Sequence, residues 1–450
     1  MQIGLVCVTM KRPSNRLFAA LLAVATLATC AWSAEFPIHD GDRVVFLGDS
    51  ITEQRLYTTY LESYILTRHP TWTLSFRNVG WGGDTAWLRQ RAHPNESQLF
   101  AADEGSQQKM VEDSVGRGLS RDVLPLRPTF VTVKFGMNDH AYQAFREDIF
   151  RAYSRSQTEI AKVLGATGVR LAFLTPQPIE EGRPDPDQDI RNVSLRKFSD
   201  GLKSIASKEG AIFVDQFDPY MTLMMHERAN NPAAKIGGGD AVHPGPAGHT
   251  LMAWAILKSL GASDLVSRAE IEVPTGKVAT ATGCQIKNLK VAPKQVSFDR
   301  LDEALPMPID PKAESALKLA PILKDLNGYE LRISGLETGR YEIKVDGDTV
   351  AKIGADELAQ SWNLATSAGA ITRQAQQVLS LVVKKNNVYF QRWRQVQLFD
   401  CPPWAQGPEF DAKRTAELAR LDQEIADLET QINLARKPKS HHFEVGFIGQ

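Results

Sequence analysis

Four short stretches of this 450-residue chain carry side chains able to move an acyl group. Gly48-Asp49-Ser50 offers a hydroxyl nucleophile. Asn78-Val79-Gly80-Trp81-Gly82-Gly83-Asp84-Thr85 is a glycine-rich run, able to bring backbone N–H groups close to a ligand. Gly136-Met137-Asn138-Asp139 supplies a side-chain amide, and Asp240-Ala241-Val242-His243-Pro244 sets a carboxylate and an imidazole three residues apart. A serine hydroxyl is a weak nucleophile until a base takes its proton, and the base needs a partner that fixes its tautomer. His243 and Asp240 suit those two tasks. The backbone N–H groups of Ser50 and Gly83, with the Asn138 amide, could hold a developing oxyanion. Together the set describes acyl transfer to water. Each motif alone more often marks a turn or a cap; their force lies in their order and in where they fall.

Each of the first three follows a predicted strand. Val44–Leu47, Thr73–Asn78, Phe130–Phe135, Val169–Thr175 and Ala211–Val214 are short, nearly all apolar runs, as expected for strands covered on both faces. Between them lie helical stretches at Glu53–His69, Ala141–Leu164, Ile190–Lys208 and Pro246–Leu260. In the first, Leu56, Tyr57, Tyr60, Leu61, Tyr64 and Ile65 form one apolar stripe that Pro70 ends. Strand–helix alternation of this kind predicts an α/β fold with a parallel sheet and helices on both faces. In such sheets ligands bind beyond the carboxyl ends of the strands, where these motifs stand.

The four motifs in this order resemble the SGNH (GDSL-like) hydrolase family. Its serine block reads Gly48-Asp49-Ser50-Ile51, with Ile51 where the family name has Leu. Its glycine block runs from Asn78 through Gly83, its Asn block is Gly136-Met137-Asn138-Asp139, and its last block runs from Asp240 to His243. The resemblance covers roughly residues 40–260. It implies a three-layer α/β/α sandwich on a five-stranded parallel sheet, flavodoxin-like in plan. It also implies a serine esterase or lipase that needs no metal or cofactor, with Ser50, Asp240 and His243 catalytic and Ser50, Gly83 and Asn138 as oxyanion donors. It favours Gly83 over Gly80 because Gly83 lies five residues after Asn78. The G-x-S-x-G elbow of another serine-esterase fold and the H-E-x-x-H of zinc hydrolases are both missing from the sequence.

Other residues compete for roles and read as structural. His249 reads as a helix-start residue, His140 as a surface histidine, and Asp185, Asp187 and Asp189 as a solvated loop rather than a calcium site. His441-His442 reads as tail. Arg89–Arg127 and Pro176–Arg191 are expected to be loops bordering the site.

Lys11, Arg12 and Arg16, the apolar run Leu17–Trp32, and small residues at Ala31 and Ser33 form a secretory signal over 1–33, with Met10 an alternative start. Thr29 before Cys30 departs from a lipoprotein box, leaving lipidation at Cys30 as the minor alternative. With 52 basic and 53 acidic residues the chain has no field to attract nucleic acid, and without the signal its charge is −4. No later apolar run is long enough to span a bilayer.

The signal leaves a catalytic domain over 34–261, a linker or wrapping segment with a helix over 262–327, and a small α+β region over 328–410. An amphipathic helix and tail over 411–450 close the chain. Asp310-Pro311 is expected to open a helix to Leu326, and 329–333, 341–345 and 350–353 to form a β-meander, with a further helix over 371–385. Trp362, Tyr389, Phe390, Trp393, Phe399 and Trp404 are expected in the small region's core, with sugar stacking as the alternative. Leu418, Leu421, Ile425, Leu428 and Ile432 form a two-heptad seam that would dock on the main domain or join a homodimer. Cys284 and Cys401 are left to form a disulfide or remain two buried thiols. The expected activity is that of an exported carbohydrate (acetyl) esterase acting on a small-molecule or polysaccharide ester. The alternatives are a lipase, lysophospholipase or thioesterase, or a glycan- or cell-wall-binding protein with secondary esterase activity.

Overall fold

The computed structural model describes residues 35–181 and 185–450, so the expected signal segment, Cys30 and the alternative start lie outside the described residues. Five parallel strands, β1 (Arg43–Gly48), β2 (Ser75–Asn78), β3 (Phe130–Lys134), β4 (Arg170–Leu174) and β5 (Ile212–Val214), form a sheet in the order β2-β1-β3-β4-β5. The strand order reverses between β1 and β3, the switch point at which such sheets open a crevice. Helices α1 (Leu56–Arg68), α2 (Glu104–Asp122), α3 (Glu147–Gly165), α4 (Ile190–Glu209), α5 (Phe217–Asn230) and α6 (Pro246–Ser259) cover its two faces. The expected α/β/α sandwich on a five-stranded parallel sheet is what forms.

Two expectations for this half need correction. Arg89–Arg127 is not a loop but two short helices, Arg89–Ala92 and Glu96–Ala101, followed by α2. The stretch reads as polar because α2 buries only a narrow face, Val111, Val115 and Leu119, against the core. Helix α1 shows the opposite discrepancy. Its sequence suggests one buried stripe, yet nearly every side chain is buried, Glu62 included. The reason is a second cover: α7 (Ala370–Phe390), from the C-terminal half, packs against both α1 and the edge strand β2.

The C-terminal half differs most from its sequence reading. The segment expected to wrap as a linker holds four strands: β6 (Leu265–Glu272), β7 (Lys277–Thr282), β8 (Cys284–Ala292) and β9 (Gln295–Asp302). The helix expected from Asp310 to Leu326 is broken into three short turns, Pro311–Ala313, Ala316–Leu319 and Ile322–Leu326. The expected meander is divided between two sheets. β10 (Gly328–Ser334) pairs parallel to β6, with β7 and β13 (Trp362–Asn363) completing that sheet. β11 (Arg340–Val345) and β12 (Asp348–Gly354) form a hairpin in a five-stranded antiparallel sheet with β8, β9 and β14 (Ser440–Gly449).

The expected C-terminal tail is therefore a strand, and an interior one. β14 lies between β9 and β11, with Phe443 and Val445 buried and His441 and His442 paired to Asp346 and Asp299. The chain does not end in a helix. The heptad seam sits on α8 (Pro408–Ala435), and Leu421, Ile425, Leu428 and Ile432 are buried within the chain, in the same clusters as residues of the first half. Each such burial contributes roughly 1.5–3 kcal/mol. That face is covered within the chain and unavailable for the expected homodimer contact.

Among the aromatics, Tyr389 and Trp393 are buried, but in the core of the first half rather than a separate small one. Phe399 and Trp404 are exposed. Cys284 and Cys401 are both buried and free. Residues from Phe36 to Gln450 form one compact unit.

Candidate active site

Ser50 opens the short helical turn Ser50–Glu53 directly after β1. Asp49 caps the turn, its Oδ1 accepting the Ile51 N–H at 3.0 Å. At the first position of a helical turn, the Ser50 N–H has no partner inside the turn. His243 approaches from the loop between α5 and α6, and its Nε2 stands 2.9 Å from Ser50 Oγ. Its Nδ1 lies 3.1 Å from Asp240 Oδ2. The other Asp240 oxygen accepts the N–H groups of His243 and Val242, both at 2.7 Å. These bonds, that from the His243 N–H foremost, hold the Asp240 carboxyl below its ordinary range. An ionised Asp240 accepts a hydrogen bond from Nδ1–H, which keeps the proton on Nδ1 and leaves Nε2 as an acceptor facing the serine hydroxyl.

The loop bearing His243 is fastened by residues that the motifs do not contain. Lys134, buried at the end of β3, donates from Nζ to Gln177 Oε1 at 2.9 Å. Gln177 Nε2 donates in turn to the Val242 carbonyl at 2.9 Å. Glu180 accepts the Ile236 and Gly237 N–H groups at 2.7 and 2.9 Å, and its own N–H donates to the Ala241 carbonyl. A lysine closing an otherwise apolar strand was the available sequence signal for this strut.

The side that carries the candidate oxyanion donors is built by the loops after β2 and β3. Gly83 takes a φ of +74°, a left-handed conformation that favours glycine. At Gly80 a Cβ would lie 2.3 Å from the Glu53 backbone nitrogen, so glycine there lets the loop close against the serine turn. Arg91, fully buried, braces the loop from below with bonds to Asp84, Asp122 and the Val79 carbonyl. Asn138 Oδ1 accepts the Tyr142 hydroxyl at 3.1 Å, and its Nδ2 donates to the Asp84 carbonyl at 2.9 Å. One amide N–H then remains for a ligand. Among the described residues no backbone acceptor takes the N–H of Ser50 or Gly83.

Asp139 clamps these two loops together. Its buried carboxylate accepts the Ala86 N–H from one and the Gly136 N–H from the other, each at 2.8 Å. Burial pushes its pKa up to about 7 despite those bonds. The folded state thus keeps a proton that the unfolded chain releases near pH 4. Stability contributed here falls as pH rises from about 4 to about 7 and is level beyond. Asp139→Asn can accept only one of the two N–H groups and turns its own NH₂ toward the other. We expect roughly a 10²-fold loss of kcat from the misplaced donors. The mutant's stability should also fall less steeply across that pH window than the wild type's, by up to about 1.4 kcal/mol per pH unit. Urea midpoints from pH 4 to 8 measure this; parallel curves would refute it.

His249 is buried, accepting the Tyr57 N–H at Nδ1 and donating from Nε2 to Gln54 Oε1 at 2.8 Å. Burial takes its pKa down to about 3, so it stays a neutral structural group. His140, expected at the surface, is buried instead; its Nδ1 bonds to the Gly136 carbonyl, and burial takes its pKa down to about 4. Asp189 is buried and caps α4 rather than lining a solvated loop. Among the described residues no group of three His, Cys, Asp or Glu is placed to hold a metal ion.

Residues 46–251 match the family described as GDSL-like Lipase/Acylhydrolase. The chain is 27% identical over 239 residues to the acetylxylan esterase of Geobacillus stearothermophilus, an alignment spanning 50% of this chain and 96% of that protein. The structure of a gut microbial diltiazem-metabolizing enzyme superposes with a TM-score of 0.75 at 24% identity. It covers 92% of this chain and 99% of that one, so the two share a fold across both halves. With its motifs at the carboxyl ends of β1, β2 and β3, the segment 46–251 belongs to the GDSL-like (SGNH) hydrolase family, and the protein is an ester-hydrolysing enzyme.

Proposed function

We propose that the chain is an exported carbohydrate esterase that removes acetyl groups through a Ser50–His243–Asp240 triad. The observation that carries the catalytic part is the continuous hydrogen-bonded line from Ser50 Oγ through His243 to Asp240. In this reading His243 Nε2 takes the Ser50 proton as Oγ attacks the ester carbonyl. The N–H groups of Ser50 and Gly83 and the Asn138 amide receive the oxyanion, each worth roughly 10²–10³ in rate. As the tetrahedral intermediate collapses, the C–O bond to the alcohol breaks and Nε2 returns its proton to the leaving oxygen. Water, deprotonated by the same nitrogen, then releases the acid from the acyl-enzyme.

The acetyl and carbohydrate parts rest on the likeness to an acetylxylan esterase. Export rests on the signal-like residues 1–33, and no described helix is long and apolar enough to cross a membrane. A series of p-nitrophenyl esters, read beside acetate release from acetylated xylan, tests the substrate. We expect kcat/KM not to rise from C2 to C8, because a methylene that stays in water gains none of the roughly 0.8 kcal/mol that burial would supply. A rise with chain length would replace this reading with a lipase or thioesterase.

A further inference from the structure

An open cleft of about 450 Å³ beside the serine is lined by Ser50, Glu53, Gln54, Arg55, Asp240 and His243. In the proposed reaction the leaving oxygen must collect its proton from His243 Nε2. The part of the cleft that shares His243 with Arg55 therefore receives the alcohol portion of the ester.

Its far wall is held from the C-terminal half. Arg55 adopts a left-handed φ of 65°, and its guanidinium lies 4.2 Å from the centroid of Phe390. Its Nε donates to Asn387 Oδ1 at 3.3 Å and its Nη1 to the Glu53 carbonyl at 2.7 Å. Beyond Phe390 the helix widens into a π-helical segment, Gln391–Gln397, a distortion frequent at functional sites. That widening sets Arg394 over Trp81, with the guanidinium carbon 3.7 Å from the ring centroid and Nε 3.5 Å from Glu53 Oε1. The second Glu53 oxygen accepts the Gly82 N–H. Asp240, the other carboxylate in the cleft, is engaged by His243 and two backbone N–H groups. Arg394 thus pairs with the Glu53 carboxylate and Arg55 with the Glu53 carbonyl, so the two guanidiniums meet at Glu53, which lines the cleft. Among the described residues no hydrogen-bond acceptor takes Arg55 Nη2 or either Nη of Arg394.

We propose that Arg55 and Arg394 form a subsite for a carboxylate on the alcohol portion of the substrate, so that the enzyme favours esters on acidic, uronate-bearing sugars. This rests on the esterase reading above and names its substrate class more narrowly. Planar guanidiniums match a carboxylate edge to edge, and docking of α7 positions both.

The test compares the full chain on the monoacetyl esters of methyl glucuronoside and methyl glucoside, which differ by a carboxylate in place of a hydroxymethyl group. We expect kcat/KM to favour the acidic ester by about tenfold at low ionic strength, with the preference shrinking as salt is added. Arg394→Met, which keeps the packing on Trp81, should erase most of that ratio through KM, and Arg394→Lys should retain part of it. Equal rates on the two esters in the wild type, or a ratio unmoved by Arg394→Met, would overturn the subsite while leaving the carbohydrate esterase reading intact. Hydrolysis of p-nitrophenyl acetate with neither sugar ester cleaved would overturn both.

Discussion

Replacing Ser50 by alanine is expected to lower kcat on p-nitrophenyl acetate by roughly 10⁴–10⁶-fold with the thermal midpoint nearly unchanged. The effect is large because nucleophile, base and orienting acid act as one unit. Once the nucleophile is gone, His243 has no proton to move, so Ser50→Ala with His243→Ala should be scarcely slower than either single variant. Asp240→Asn is predicted to be less severe, at about 10⁴-fold. Its Oδ1 can still accept the Val242 and His243 N–H groups, so the loop keeps its shape. Its NH₂ would face His243 Nδ1, however, and push the proton to the nitrogen that must accept from Ser50. An unchanged thermal midpoint and far-ultraviolet circular dichroism spectrum separate these outcomes from misfolding. Ser50→Ala retaining more than about 1% of the wild-type rate would remove Ser50 from the role proposed for it.

The second large effect is on stability. Lys385 on α7 reaches into the catalytic half, where its Nζ lies 2.7 Å from Glu62 Oε1, both side chains being almost wholly buried. Asn386 donates to the other Glu62 oxygen at 3.0 Å. Burial pushes the Glu62 carboxyl above its ordinary range even against the pull of Lys385. Lys385→Met would strand a buried carboxylate with one amide bond left. We expect a loss of about 3–5 kcal/mol, read as a lower urea midpoint. Lys385→Met with Glu62→Leu should recover most of it, because two packed apolar groups can replace a buried pair. Since α1 and α7 share one core, both halves should unfold in a single transition. Separate transitions for the two halves, or a single mutant as stable as the double, would contradict this coupling.

The motifs, the parallel sheet and the position of each candidate site residue were legible because those signals are local. A strand covered on both faces is nearly all apolar, and the glycine at 83 answers to its own backbone conformation. The clamps around the site were less visible. Asp139, Gln177 and Glu180 reach partners in other loops, and no spacing along the chain announces such a bond.

What the sequence determined by itself is therefore the α/β architecture of the first half and the candidate residues held at its strand ends. Only the tertiary structure decided what the remainder does. A heptad seam and an apolar helix face state that something covers them, not what, and here α7 and α8 cover the catalytic half. β14 looked like tail because its partners, β9 and β11, lie more than ninety residues away. The wall bearing Arg55 and Arg394 exists only once α7 docks, since its two cations come from opposite halves of the chain and meet through packing that no local pattern encodes.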